Sequence, residues 1–209
     1  MVKLAANLSM LFNEYEFLDR FEMAARSGFQ GVEYTFPYEY PIDDLKHALS
    51  EAKVSQVLHN LPPGNWSSGD RGIACDPSRQ SEFHDSVEAT IEYATALNCQ
   101  IVNCLAGLTP EGFSSEEINQ TLIENLRYAG EKLRSAGIQL LAEPINNKID
   151  IPGFYLTTTE QALSIFNSVG DGLVELQYDA YHMQIMEGNL VNTVRENLQR
   201  IKHVQKYFS

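Results

Sequence analysis

Three polar residues end short segments of otherwise mainly apolar or alternating sequence. Glu143 ends LLAE, Asp179 ends LVELQYD and Gln205 ends IKHVQ. Carboxylate and amide oxygens are the ligands that hard or borderline divalent cations prefer. If the fold brings these three side chains together, they predict a binding site for Mg²⁺ or Mn²⁺.

Other residues that can bind a metal ion, a proton or a substrate stand at or just beyond the remaining apolar segments. A single residue of this kind is more often a helix cap or part of an ion pair. Because such residues recur at most of the predicted strand ends, a functional role is favoured over a structural one. We therefore assign substrate-binding or outer-sphere roles to six residues: Asn7, Glu33, His59, Asn103, His182 and His203.

Two of these histidines have alternative interpretations. His182 lies three residues after Asp179, at the first turn beyond the strand, where a metal ligand, an outer-sphere partner and a substrate contact are all compatible with the spacing. His59 is equally well explained as a hydrogen-bonded wall residue.

A long loop over residues 59–83 follows the third predicted strand. It contains a Pro-Pro-Gly turn and Trp66, the single tryptophan of the chain. A loop of this length inside a compact domain is usually functional or disordered. We expect an ordered lid and add Trp66 to the substrate-binding group.

The elements that position these side chains repeat one pattern of amphipathic helix, glycine and short apolar strand. Ser114 with Glu117, and Thr157 with Glu160, predict helix starts, and Gly137 predicts a helix end. The whole chain yields seven strands: Lys3–Asn7, Gly31–Tyr34, Val54–Leu58, Ile101–Cys104, Gln139–Glu143, Leu173–Asp179 and Ile201–Gln205.

Alternating strands and helices predict a parallel sheet with helical crossovers, either doubly wound or closed as a (β/α)₈ barrel. No glycine fingerprint follows the first strand and no Walker A sequence occurs. Alternation places polar residues of the sixth and seventh strands on one face, which suits a barrel lumen. These residues are Glu175, Gln177, Asp179, His203 and Gln205. We therefore predict a barrel whose site lies at the carboxyl ends of the strands.

Composition restricts the class of protein. The formal net charge of −13 disfavours nucleic acid and anionic membranes as partners, because both attract Lys and Arg. No apolar run approaches the roughly 18 residues of a membrane span. Three cysteines without a C-x-x-C spacing favour a reducing compartment, so we expect a cytoplasmic protein that handles a small molecule. A homo-oligomer is compatible with the sequence.

Several segments, in order along the chain, resemble the hydroxypyruvate isomerase family of xylose-isomerase-like TIM barrels. They are AANLSMLF, FPYEYP, NLPPGNWSSGDRG, ALNCQIVNCLAG, LLAEPIN, LQYDAYHMQIMEGNL and HVQ. The resemblance implies an enzyme that interconverts hydroxypyruvate and 2-hydroxy-3-oxopropanoate through an enediolate. It implies Glu143 as an acid–base catalyst, and Glu143, Asp179 and Gln205 as ligands of a divalent metal.

Two alternatives to this isomerase activity stay open. One is a catalytically impaired isoform or paralogue that binds a small hydroxy-acid or a partner chain. The other is an epimerase or isomerase of a related keto-sugar acid. The Asp-x-x-His spacing alone indicates only the broader superfamily.

The chain departs from the family pattern at its carboxyl end, after HVQ. A second catalytic glutamate, in a stretch such as GCEY, has no counterpart in the 209 residues, and a complete barrel has about 250. We expect a single domain over residues 1–209 that forms an incomplete barrel without helix seven (the helix that would follow strand seven), strand eight and helix eight. Impaired activity, open sheet edges and exposure of lumen residues such as Leu141 are further expectations.

Overall fold

The computed structural model describes residues 3–206, which contain seven parallel strands in alternation with helices. The strands are β1 Ala5–Asn7, β2 Gly31–Glu33, β3 Ser55–Asn60, β4 Ile101–Cys104, β5 Gln139–Ala142, β6 Val174–Asp179 and β7 Ile201–Gln205. The predicted set of strands is confirmed. Bounds agree for β4 and β7 and differ by one or two residues at the ends of the others.

The helices are α1 Arg20–Arg26, α2 Ile42–Ala52, α3 Gln80–Ala96, α4 Ser115–Ser135, α5 Thr159–Val169, α6 Ala180–Met186 and α7 Leu190–Asn197. The capping box of Ser114 and Glu117 at the start of α4 is confirmed. The predicted cap of α5 is wrong by one residue, because it is the side chain of Thr158 that accepts from the backbone N–H of Gln161. The backbone N–H of Thr157 donates to Gln161 Oε1. No helix within residues 3–206 is long and apolar enough to cross a membrane.

The sheet follows chain order from β1 to β7, and every neighbouring pair is parallel. β1 pairs with β2 and β7 pairs with β6, while no ladder within residues 3–206 joins β1 to β7. The prediction of an incomplete (β/α)₈ barrel is therefore confirmed: seven strands curl around a lumen that has one gap.

Alternation along β6 and β7 sorts side chains between lumen and exterior. In β6, Leu176 and Tyr178 are buried in the apolar core, and Gln177 bonds to polar side chains of the lumen. In β7, His203 is half-buried, whereas Val204 on the other face is 55 % exposed. Because side chains alternate between the two faces of a strand, the polar residues of β6 and β7 lie in the lumen, as expected.

Two apolar clusters pack the helices against the outer face of the sheet. The larger one joins β4, β5 and β6 to α3, α4 and α5, with Leu126 and Phe166 fully buried; the smaller one includes Phe21 and Tyr34. The expectation that Leu141 faces water is wrong, because its exposure is 0 %. The curled sheet covers this side chain even though the strands do not close.

Loops at the carboxyl ends of β3, β4 and β5 are bonded to one another. The backbone N–H of Cys75 donates to Ala106, and that of Tyr155 donates to Gly107. Gly72 has a φ of +107°, and a side chain there would overlap the backbone carbonyl of Leu105. Only glycine permits this close approach of the two loops. The resulting rim borders the mouth of the lumen at β3, β4 and β5.

Candidate active site

Glu143 lies at the centre of the polar group at the mouth. It follows β5 directly and is 5 % exposed. Its Oε2 accepts hydrogen bonds from Gln177 Nε2 at 2.8 Å and from Asn103 Nδ2 at 3.4 Å. Its Oε1 faces His182, whose Nε2 is 4.0 Å away. One carboxylate oxygen is thus held in place while the other is directed towards the site.

The Asp-x-x-His spacing has a structural explanation. Asp179 ends β6 and caps α6, since its Oδ1 accepts from the backbone N–H groups of Tyr181 at 2.7 Å and His182 at 3.4 Å. The helix therefore starts at once, and His182 falls on its first turn beside Glu143. Glu143, Asp179 and His182 each offer a ligand atom, and these atoms lie within 4.8 Å of one another.

The electrostatics of this group favour a bound cation. Burial, and then the charges of Asp179 and Glu33, raise the pKa of Glu143 well above its usual value. Burial also lowers the pKa of His182, against the opposing charges of Asp179 and Asp150. Buried carboxylates this close together require a proton or a cation for compensation. The carboxylate oxygens of Glu143 and Asp179 suit Mg²⁺ or Mn²⁺, so these residues fit the predicted metal.

Gln205, the third predicted oxygen ligand, is connected to Glu143 through Gln177. Gln177 Nε2 donates to both Glu143 Oε2 and Gln205 Oε1, the latter at 3.0 Å. Gln205 Nε2 donates to Glu33 Oε1 at 2.6 Å. Sequence reasoning placed Gln177 in the lumen but gave it no role, and here it is the bridge between two predicted ligands.

Glu33 joins three strands across the lumen. Its carboxylate accepts from Asn7 Nδ2 at 3.1 Å, from His203 Nε2 at 2.6 Å and from Gln205 Nε2 at 2.6 Å. Asn7 belongs to β1, while His203 and Gln205 belong to β7. We call these four residues the Glu33 clasp, because it spans the gap between the two edges of the sheet.

His59 lies apart from this group. Its exposure is 0 %, its Nδ1 is 2.9 Å from Gln56 Nε2, and its ring meets the ring of Tyr38 edge-on at 6.0 Å. The neighbouring Asn60 points to the lumen, where its Oδ1 accepts from Asn103 at 3.1 Å. Adjacent residues of a strand face opposite sides. The structure thus favours the interpretation of His59 as a hydrogen-bonded wall residue.

The burial of His59 makes acid sensitivity a testable consequence. Burial lowers the pKa of His59 from 6.5 to about 3. Below pH 6.5 the unfolded chain takes up a proton at His59 that the folded chain refuses, so stability falls as the pH falls. We expect the wild type to lose about 2 kcal/mol more than His59→Gln between pH 6.5 and about pH 5. Urea unfolding at both pH values measures this difference.

A matched control for the acid-sensitivity prediction is His47→Gln, on the exposed face of α2. It is expected to follow the wild type across the same pH range. Equal pH dependence of the wild type and His59→Gln would contradict the prediction.

Trp66 lies on the rim in a short 3₁₀ turn of residues 66–68. It is 42 % exposed, its ring is 5.2 Å from that of Phe36, and the guanidinium of Arg71 lies 4.1 Å above it. Phe36 follows β2, so Trp66 connects the long loop after β3 to the loop after β2. The side chain is held at the mouth but does not join the hydrogen bonds around Glu143.

Sequence reasoning missed Asn146, which lies between β5 and α5. Asn146 is fully buried, its Nδ2 is 2.8 Å from His182 Nδ1, and it also donates to the carboxylate of Asp150. The sequence does place an asparagine three residues after Glu143. Because this asparagine lies in a loop, no periodicity indicates where its side chain points.

Comparison with known proteins identifies the family. A family profile described as "Xylose isomerase-like TIM barrel" matches residues 21–206. The chain belongs to this family. It is 56 % identical to hydroxypyruvate isomerase of Escherichia coli over 205 residues, covering 98 % of this chain and 79 % of that protein. It is 37 % identical to a 2-oxo-tetronate isomerase of Cupriavidus necator, covering 98 % and 78 % of the two chains. The predicted family is confirmed, and with it the class of isomerases.

Solved structures agree with this membership. A Brucella melitensis protein named "AP endonuclease, family 2" superposes with a TM-score of 0.95 at 40 % identity, covering 99 % of this chain and 79 % of that one. A 3-keto-D-glucoside 4-epimerase of E. coli superposes with a TM-score of 0.82 at 17 % identity, covering 99 % and 80 %. The second likeness shows a shared fold.

Proposed function

We propose that this chain carries the site of a hydroxypyruvate isomerase, which interconverts hydroxypyruvate and 2-hydroxy-3-oxopropanoate. The observation that carries the proposal is the placement of Glu143, a buried carboxylate with one oxygen held by amides and the other facing Asp179 and His182. The identity of 56 % to a protein named hydroxypyruvate isomerase supports the choice of substrate.

The reaction moves a carbonyl group between adjacent carbons without loss of atoms. Glu143 takes a proton from C3 of hydroxypyruvate, which gives an enediolate. A proton then arrives at C2, and the hydroxyl proton of O3 is replaced by one on O2. A carboxylate whose pKa is raised by burial is a better base for a carbon acid than an ordinary glutamate, and it can return the proton as an acid.

Glu143 and Asp179 are the residues proposed to hold a Mg²⁺ or Mn²⁺ ion. Gln205 can join them if its amide oxygen exchanges the hydrogen bond from Gln177 for the ion. When bound, the ion polarises the substrate carbonyl and stabilises the charge that develops on its oxygen. The buried carboxylates supply the negative potential that attracts it.

Proton NMR in D₂O tests the proposed activity directly. We expect the protein with Mg²⁺ or Mn²⁺ to exchange the C3 protons of hydroxypyruvate and to form 2-hydroxy-3-oxopropanoate faster than buffer with the metal alone. Since the chain spans 79 % of the E. coli relative, the assay includes a fusion of residues 1–205 to the segment that follows in that relative. Absence of exchange and product in both polypeptides would refute the proposal.

A 2-oxo-tetronate isomerase is the second candidate function. Relatives with that name are 37–40 % identical over 98 % of the chain. A tetronate has one carbon more than hydroxypyruvate and needs additional room at the mouth. Values of kcat/KM for the two substrates, measured side by side, decide between them, and we expect hydroxypyruvate to have the larger one.

Metal binding provides an independent prediction. Asp179→Ala is expected to abolish Mn²⁺ binding, because it removes one of the buried carboxylates of the ligand group. Isothermal titration of Mn²⁺ into the wild type and the variant measures the loss. Asp171→Ala, in the exposed turn before β6, serves as the control with one carboxylate removed elsewhere. Equal affinity of Asp179→Ala and the wild type would contradict the ligand assignment.

The remaining features of the proposal concern location and partners. We infer a cytoplasmic enzyme of a small keto- or hydroxy-acid, on the basis of three buried free thiols and the net charge of −13. The same charge argues against nucleic acid as the substrate, despite the endonuclease name of the Brucella relative. A homo-oligomer remains compatible with this proposal.

A further inference from the structure

The amide of Asn146 has one orientation that satisfies its surroundings. Its Oδ1 lies 3.0 Å from the backbone N of Ile149 and 3.2 Å from that of Asp150, and both of these groups can only donate. The oxygen must therefore face the loop backbone. The NH₂ group is then directed at the carboxylate of Asp150, an acceptor, and at His182 Nδ1, 2.8 Å away.

This orientation dictates which ring nitrogen of His182 carries the proton. An NH₂ group can only donate, so Nδ1 of the neutral His182 ring must accept. The carboxylate oxygen of Asp150 lies 3.6 Å from Nδ1, beyond hydrogen-bond distance, and does not compete for this position. In the neutral imidazole the proton is then on Nε2. That nitrogen faces the site, 4.0 Å from Glu143 Oε1.

We propose that Asn146 is a positioning residue that fixes His182 as its Nε2–H tautomer, so that His182 presents a hydrogen-bond donor to a substrate oxygen. The inference rests on the proposed function and extends it to a residue outside the ligand group. A protonated Nε2 has no lone pair for a metal, so His182 is a substrate contact and Glu143 and Asp179 are the ligands. This distinguishes among the three roles compatible with the sequence.

The donor on Nε2 has a defined task in the isomerisation. Negative charge builds on the substrate oxygens when Glu143 removes the C3 proton. A hydrogen bond from a fixed, partly buried N–H stabilises that charge more than water does, because the donor needs no reorientation. With the opposite tautomer, Nε2 would present a lone pair to the same oxygen and repel it.

Asn146→Asp is the variant that tests the assignment. One aspartate oxygen can still accept from the two backbone N–H groups, so the turn is kept, while the other oxygen replaces the donor opposite Nδ1. That oxygen also faces Asp150, so Asn146→Asp and its controls are made in an Asp150→Asn background, where an amide and not a second carboxylate faces it. We expect Nδ1 to gain a proton. The readout is the ¹⁵N chemical shifts of the His182 ring in histidine-labelled protein, assigned by their absence in His182→Gln. Asn147→Asp adds the same charge one residue away and is expected to leave the tautomer unchanged.

The kinetic expectation separates this inference from the proposed function. In Asn146→Asp, kcat should fall by about 10–100-fold with a smaller change in KM, the size of effect seen when the hydrogen-bond partner of a metal-bound histidine is removed. A wild-type ring protonated on Nδ1, or an Asn146→Asp ring with Nδ1 still unprotonated, would overturn the assignment. If the ring shifts change as expected but the wild type has no isomerase activity, the assignment stands and the proposed function fails.

Discussion

Replacing Glu143 by Gln is expected to slow hydroxypyruvate isomerisation by about 10²–10⁴-fold, the contribution of a positioned general base. The amide has the shape of the carboxyl group, and its oxygen can still accept from Gln177 and Asn103. It cannot take a proton from carbon. Turnover of hydroxypyruvate and exchange of its C3 protons, both followed by NMR, measure the loss. Turnover within about tenfold of the wild type would contradict the assignment of Glu143 as the base.

Stability measurements on Glu143→Gln test whether loss of the fold, and not loss of the base, causes the lower activity. The pKa of Glu143 is raised in the folded state, so above the usual value of 4.5 the unfolded chain releases this proton more readily and ionisation favours unfolding. At neutral pH and without metal, Glu143→Gln is therefore expected to be at least as stable as the wild type. The advantage should disappear as the pH falls below 4.5, where both states keep the proton.

A second buried carboxylate provides the matched control for activity. Glu175 is 8 % exposed and pairs with Arg200 at 2.8 Å, at the opposite end of β6 from Asp179. Glu175→Gln changes the same chemical group in the same lumen but leaves the mouth untouched. We expect it to lower the thermal midpoint while leaving kcat nearly unchanged.

The part of the site that follows from regular structure could be predicted from the sequence. A strand has a period of two, and the carboxyl ends of parallel strands meet at one edge. Glu143, Asp179 and Asn103 therefore had to lie together once the strands were recognised. His182 followed because an aspartate at the end of a strand can cap the next helix, which fixes where the third residue lies.

The part that depends on loops and tertiary packing could not be predicted. Asn146 acts through the hydrogen bonds of an irregular turn, and no spacing in the sequence indicates them. His59 was placed in the site because it stands near a strand end, but β3 extends to Asn60 and the alternation sends His59 outwards. Gln205 lies at the expected edge, but its amide forms hydrogen bonds with Gln177 and Glu33. The sequence does not indicate which of the several donors and acceptors in the lumen pair with one another.

The Glu33 clasp leads to the largest expected change in stability. Glu33→Ala removes the acceptor shared by Asn7, His203 and Gln205 and leaves three donors from β1 and β7 without it. A buried donor left without its partner costs about 1–3 kcal/mol, so removing the acceptor shared by three donors is expected to cost about 3 kcal/mol or more. We expect the free energy of unfolding in urea to fall by that amount, more than for any surface carboxylate.

A consequence beyond lower stability distinguishes the clasp from an ordinary buried contact. β1 and β7 are the edges of the sheet within residues 3–206, and the clasp links them across the lumen through Glu33 of β2. Without it β7 is expected to move away from β1 and β2, and its unpaired edge becomes more accessible to other chains. Glu33→Ala should therefore also increase light scattering.

Two control variants accompany Glu33→Ala. Glu33→Gln keeps one accepting oxygen, so its stability and light scattering should fall between those of Glu33→Ala and the wild type. Glu88→Ala removes an exposed partner of Lys132 and should change neither property. A Glu33→Ala protein within about 1 kcal/mol of the wild type would show that the two edges are held by other contacts.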